Sequence, residues 1–169
     1  MKNTALYFLM VLLPTVLSGC KMSYSFTGAS IPAEAKTISV QYFANNAPLA
    51  PPTYSQTFTE SLRTLLMSQT SLSMVPKNGD LSFSGFITNY STAPSGIQSN
   101  DKAATNRLSI SVTVKFSNRF DESKNFESGF TKFKDYPSSQ SLAEVESGLI
   151  KDINDQLVQE VFNKALNNW

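Results

Sequence analysis

One cysteine, no histidine and two close pairs of carboxylates are the residues of this 169-residue chain whose types could do chemistry. Without histidine, Ser-His-Asp and Cys-His triads are impossible, and so are histidine-ligated zinc sites and a near-neutral imidazole base. The close acids are Asp121 with Glu122 and Glu144 with Glu146. The first pair belongs to the charged sequence DESK, which is turn chemistry, and the second to a first helical turn, where the dipole favours acids. Neither pair is placed by the sequence beside an apolar pocket wall that would raise a carboxyl pKa to that of a general acid. The sequence points to no catalytic residue, no metal and no cofactor.

Cys20 has a different context. Lys2 supplies a positive n-region, Ala5 to Val16 is apolar apart from Pro14 and Thr15, and small residues Ser18 and Gly19 follow. This is the layout of an export signal, whose apolar run is shorter than the ~20 residues of a spanning helix. Leu17-Ser18-Gly19-Cys20 fits the lipobox, in which the cysteine sulfur becomes the thioether carrier of a diacylglycerol. The competing reading, an ordinary signal followed by a buried thiol, does not explain why all three parts fall in register. Acyl chains contribute about 0.8 kcal/mol per buried CH₂, so Cys20 is expected to be a membrane anchor.

Residues 1–19 are then a cleaved signal peptide, 20–36 a lipidated tether rich in Ser, Gly and Ala, and 37–169 a single domain. The one charged residue lost with the signal is Lys2, which leaves acids and bases in balance. A neutral chain is no generic nucleic-acid binder. With one cysteine there is no intramolecular disulfide, and burial must hold the fold.

The elements follow from periodicity. TISVQYF, residues 37–43, alternates Ile38, Val40 and Tyr42 against Ser39 and Gln41, as a half-buried strand does. Prolines 48, 51 and 52 break it. Phe58, Leu62, Leu65 and Leu66 recur at helical spacing, with Thr53 and Gln56 placed to cap, which predicts a helix over 54–69. LSMV at 72–75 is a short strand, and LSFSGFITNY at 81–90 a longer one whose phase break at Gly85-Phe86-Ile87 suggests a bulge. Residues 91–106 read as a polar loop. In RLSISVTVKF, Leu108, Ile110, Val112, Val114 and Phe116 form one apolar face. After the DESK turn, 126–133 returns as an antiparallel partner, and Ser141 with Glu144 caps a helix whose apolar stripe runs from Leu142 to Ala165. The expectation is an α+β fold of order β-α-β-β-β-α, with two helices packed on one face of a four-stranded, mostly antiparallel sheet.

YSFTGASIP after the lipobox, KTISVQYFANNAPL, QTFTESLRTLLMSQTSLSMV, NRLSISVTVKF and FNKALNNW together resemble the LPS-assembly lipoprotein family, the LptE type, over essentially all of the mature chain. The resemblance implies a non-enzymatic lipoprotein, anchored in the outer membrane and facing the periplasm. There it would plug an LptD-like β-barrel translocon, support the barrel's assembly, and assist delivery of lipopolysaccharide to the outer leaflet. A periplasmic scaffold of another outer-membrane assembly or secretion machine is the alternative, since fold alone does not choose among such systems.

Lipopolysaccharide carries phosphates, which Arg and Lys bind by charge-assisted hydrogen bonds. Arg107, Lys115 and Arg119 share the parity opposite to the core residues of their strand, and Lys132 and Lys134 are expected to join them from the next. These five are the candidate lipopolysaccharide contacts, on the open face of the sheet. Lysines that guard a strand edge would produce the same pattern. The proline-bounded loop, with Asn45, Asn46, Pro48 and Pro51, is the candidate barrel contact.

Overall fold

The computed structural model describes residues 31–97 and 103–167. The signal peptide, Cys20, the tether up to residue 30, residues 98–102 and Trp169 lie outside the described residues.

The elements in chain order are β1 (Thr37–Val40), β2 (Ala44–Asn45), α1 (Tyr54–Gln69), β3 (Ser73–Met74), β4 (Leu81–Ile97), β5 (Ala103–Asn118), β6 (Phe126–Pro137) and α2 (Leu142–Leu166), with a 3₁₀ turn at Glu122–Lys124. The sheet has six strands, in the order β3-β1-β4-β5-β6, and β2 pairs with β4 further along the same edge. It is mixed, not mostly antiparallel: β1 runs parallel to both β3 and β4, and β2 is parallel to β4. The cause is α1, a crossover long enough to return the chain in the same direction, which no hairpin could do. The four-strand, antiparallel expectation is corrected on both counts, while the α+β class and the two helices stand.

Even-numbered residues of β5, from Leu108 to Phe116, are buried, and so are Leu81, Phe83 and Ile87 on β4 and Phe130 and Tyr136 on β6. This face meets Phe58, Leu62 and Leu66 of α1 and Ile153, Leu157, Val161 and Phe162 of α2. Each such side chain contributes about 1.5–3 kcal/mol relative to exposure. Aromatic rings knit the layers, with Phe83 and Phe116 4.9 Å apart and Phe43 edge-on to Phe58 at 4.9 Å.

The first strand departs from its pattern. β1 ends at Val40; Tyr42, expected inside, is 59% exposed, and Phe43 is fully buried. The backbone shifts phase between β1 and β2, and Phe43 N donates to Thr59 Oγ1 at 3.1 Å as its ring turns inward. Gly85 makes room for that ring. A Cβ there would meet Phe43 Cε1 at 2.7 Å and collide with the Thr113 carbonyl oxygen. The phase break read at Gly85-Phe86-Ile87 is therefore not the bulge: Leu81 to Ile87 pair in register with β5, and the shift falls between Ile87 and Asn89.

The polar loop read over 91–106 is mostly strand. β4 extends to Ile97 and β5 begins at Ala103, so an antiparallel hairpin continues past the core, with Ala93 opposite Arg107 and Pro94 opposite Asn106. Residues 92–95 are exposed, so apolar alternation, the usual signature of a half-buried strand, is missing there. Pro94 is tolerated because β4 beyond Ile87 has no other strand beside it among the described residues.

The helices match their expected spans more closely. α1 starts at Tyr54 as expected, but not through a Thr53 cap: Thr53 already has helical angles, and Tyr54 N donates to the Pro51 carbonyl at 2.9 Å. The prolines themselves set the turn into the helix. At α2 the expected box forms, with Ser141 N donating to Glu144 Oε2 at 2.9 Å, and this bond holds the Glu144 carboxyl below its ordinary pKa.

Candidate functional site

The helices cover one face of the sheet and leave the other open. On β5 that open face carries Arg107, Ser109, Ser111, Thr113, Lys115 and Ser117, which alternate with the buried core residues. Their cross-strand partners on β4 include Ser82, Ser84, Phe86, Asn89 and Ser91. On β6 they are Glu127, Gly129, Thr131, Phe133 and Asp135. The result is a flat surface dominated by hydroxyls, and Ser111 and Thr131 bond across the strands at 2.8 Å. Such a surface suits an aqueous neighbour.

Its best-defined group is Arg107. Nε donates to Asp135 Oδ1 at 2.7 Å and Nη2 to Asp135 Oδ2 at 2.9 Å, the two-pronged geometry specific to guanidinium and carboxylate. The guanidinium carbon lies 3.8 Å from the centroid of the Phe133 ring. Hydrogen bonding to Arg107 holds the Asp135 carboxyl below the usual carboxylate range, and the same bond raises the arginine. Strand geometry brings the three together, since Arg107 and Asp135 are direct cross-strand partners and Phe133 is two residues away on the same face.

The other candidates scatter. Lys115 is exposed on the open face, opposite Glu127 on β6 and Ser84 on β4. Arg119 lies just past the end of β5, where its backbone N donates to the Asp80 carbonyl at 2.9 Å. Lys132 and Lys134 do not join them. They project to the helix side, where Lys132 pairs with Glu160 at 3.1 Å and Lys134 with Asp152 at 3.3 Å. The reason is parity: even positions on β6 share the face of Phe130 and Tyr136. The five candidate cations are thus divided, and the α2 acids Glu160 and Asp152 neutralise Lys132 and Lys134.

The proline-bounded loop is rigid. Asn45 Oδ1 accepts from Ala47 N at 3.0 Å, Asn46 N donates to the Ile87 carbonyl at 3.0 Å, and Ala47 and Ala50 are buried beneath. Asn45, Asn46 and Pro48 are exposed and Pro51 is half-buried. Between the prolines Leu49 is 74% exposed, an apolar side chain held out by a fixed loop.

Sequence reasoning missed Phe133, Asp135 and Leu49. For the first two the signal existed in the parity of β6 relative to Thr131, but it needed the β5–β6 register to be read. Among the described residues no group of acids or cysteine is placed to hold a metal ion.

A family model described as LptE, Lipopolysaccharide-assembly, matches residues 35–165. The chain belongs to the LptE family. No curated protein sequence matches it. Among solved structures, this LptE-family chain is similar to a rare lipoprotein B from Shewanella oneidensis, with TM-score 0.54, 13% identity, and 76% of this chain and 92% of that one covered. A lipoprotein B from Nitrosomonas europaea gives TM-score 0.54 at 14% identity over 85% of this chain and 88% of that one. A minor lipoprotein from Acinetobacter baumannii gives 0.50 at 15% identity over 77% and 91%. At these identities the likeness is one of fold. The LptE family is a non-enzymatic lipoprotein family acting in lipopolysaccharide assembly, so membership gives this chain a general role there.

Proposed function

We propose that this chain is an outer-membrane lipoprotein, anchored through lipid on Cys20 and facing the periplasm. It plugs and supports the assembly of an LptD-like β-barrel, and it assists delivery of lipopolysaccharide to the outer leaflet. The observation that carries the reading, beside family membership, is the open sheet face. It is a hydroxyl surface with few charges, and a water-lined lumen wall is the neighbour such a surface fits. The polar strands that run on past the core extend the same surface, and Leu49 on its rigid loop gives the barrel an apolar contact. The cations we assign to lipopolysaccharide phosphates are Arg107 and Lys115 on the open face and Arg119 just past the end of β5.

The test is purification from solubilised membranes of the native chain and of Cys20→Ala. The native chain should carry acyl groups and bring down a large barrel protein in equal amount, and its depletion should remove lipopolysaccharide from the cell surface. An unacylated protein, or one that recovers a different assembly or secretion machine, would refute the reading.

A further inference from the structure

The Arg107–Asp135 pair has the construction of an occupied anion site. Both carboxylate oxygens are taken by one guanidinium, with the Ser95 side chain a further hydrogen-bond partner of the carboxylate, yet the pair is open to water, with side chains 37% and 38% exposed. The Phe133 ring lies against the guanidinium from one side at 3.8 Å, a contact that does not depend on the carboxylate. On the other flank the cross-strand neighbour is Ala93, which brings neither charge nor bulk. Asp135 stands on β6, the last strand of the sheet, two residues before its end at Pro137.

We propose that Asp135 is an internal competitor for Arg107: the pair is the resting form of an anion subsite in which a phosphate monoester of the ligand displaces the carboxylate while Phe133 holds the guanidinium. This rests on the reading that the open face meets lipopolysaccharide and adds how that face selects its ligand. A phosphate monoester carries about −1.5 to −2 charges and three acceptor oxygens, against one charge and two oxygens for the carboxylate. Exposed ion pairs contribute little, so the exchange costs little and a phosphate wins it. A neutral or singly charged sugar does not. Asp135 therefore sets a threshold of ligand charge, and removing that carboxylate should strengthen binding, the reverse of what a contact residue or a structural brace would do.

The experiment uses the full acylated chain in detergent, titrated with bisphosphorylated lipid A, with dephosphorylated lipid A and with inorganic phosphate. Asp135→Asn should tighten the phosphorylated lipid about two- to fivefold, the range an exposed pair can withhold. It should leave the dephosphorylated lipid unchanged. Arg107→Gln should weaken the phosphorylated lipid, and the double variant should bind no better than Arg107→Gln alone. Where the wild-type protein binds the phosphorylated lipid, unchanged or weaker binding of that lipid by Asp135→Asn overturns the proposal. If the wild-type protein binds neither lipid, the lipopolysaccharide reading of the face falls by itself. An inorganic-phosphate titration insensitive to Asp135→Asn would then dispose of the subsite as well.

Discussion

The Phe43 ring lies where the side chain of residue 85 would be. An added Cβ on Gly85 would stand 2.7 Å from Phe43 Cε1 and would also strike the Thr113 carbonyl oxygen. The glycine on β4 and the phase shift between β1 and β2 are thus one device, which turns Phe43 inward onto Phe58. Because the second collision is with backbone, replacing Phe43 by a smaller residue cannot relieve it. Gly85→Ala should lower unfolding free energy by about 2–4 kcal/mol in urea titrations, and the loss should persist in a Phe43→Leu background.

Tyr54 should behave in the opposite way. It is 1% exposed, and its hydroxyl finds no hydrogen-bond partner among the described residues. Burial pushes its pKa far above the ordinary tyrosine value. An unpaired buried hydroxyl is a standing penalty, so Tyr54→Phe should leave stability unchanged or raise it by about 1 kcal/mol. The sign with pH also follows. The unfolded chain ionises near pH 10 while the folded one resists, so stability falls as pH rises above about 10. That alkaline loss should be smaller in Tyr54→Phe, measured as melting temperature against pH.

Asp80 contributes to the acid limb. Its Oδ2 accepts from Lys36 N and Thr37 N, each at 3.0 Å, and from Thr37 Oγ1 at 2.8 Å, closing the start of β1 onto the turn before β4. These bonds, led by that from Lys36 N, hold the carboxyl below its ordinary pKa. A lowered folded pKa means stability that is complete at neutral pH and is lost as pH falls below about 4 through the folded value. Asp80→Asn should melt earlier than the wild type at pH 7, and the gap should narrow on acidification.

Leu49 separates interaction from folding. Being 74% exposed, Leu49→Ser should change stability by no more than about 0.5 kcal/mol. Recovery of the barrel partner in pull-downs should drop. Full recovery would remove this loop from the interface.

Lys132 and Lys134 provide the control for charge. Their partners are the α2 acids Glu160 and Asp152, so alanine at both should lower stability by no more than about 1 kcal/mol. Lipid A binding should be unaffected, whereas Lys115→Glu should weaken it.

Where the fold was legible in the sequence, one period ran through a whole element. α1 and α2 could be read from their apolar stripes, and the core face of β5 from its strict alternation. β1 was misread because its period changes at Tyr42, and only the cavity above Gly85, a property of another strand, explains the change. The extensions of β4 and β5 carry no apolar signal, and residues 92–95 are exposed. The mixed sheet was hidden for another reason: direction of pairing depends on where α1 returns the chain, which no local pattern encodes. At the candidate site, parity on β5 placed Arg107 and Lys115 on the open face, whereas Lys132 and Lys134, expected to join them from the next strand, lie on the helix side, since facing across β5 and β6 is set by register.

The long hairpin has a consequence for geometry. β5 alone, with 16 residues, measures about 50 Å, which exceeds the roughly 30 Å of hydrocarbon in a bilayer. A body of that reach, seated end-on in a pore, would touch two compartments at once, its β5–β6 ladder unbroken from Thr105 to Phe116 and its β4–β5 ladder shifted in register between Ile87 and Asn89.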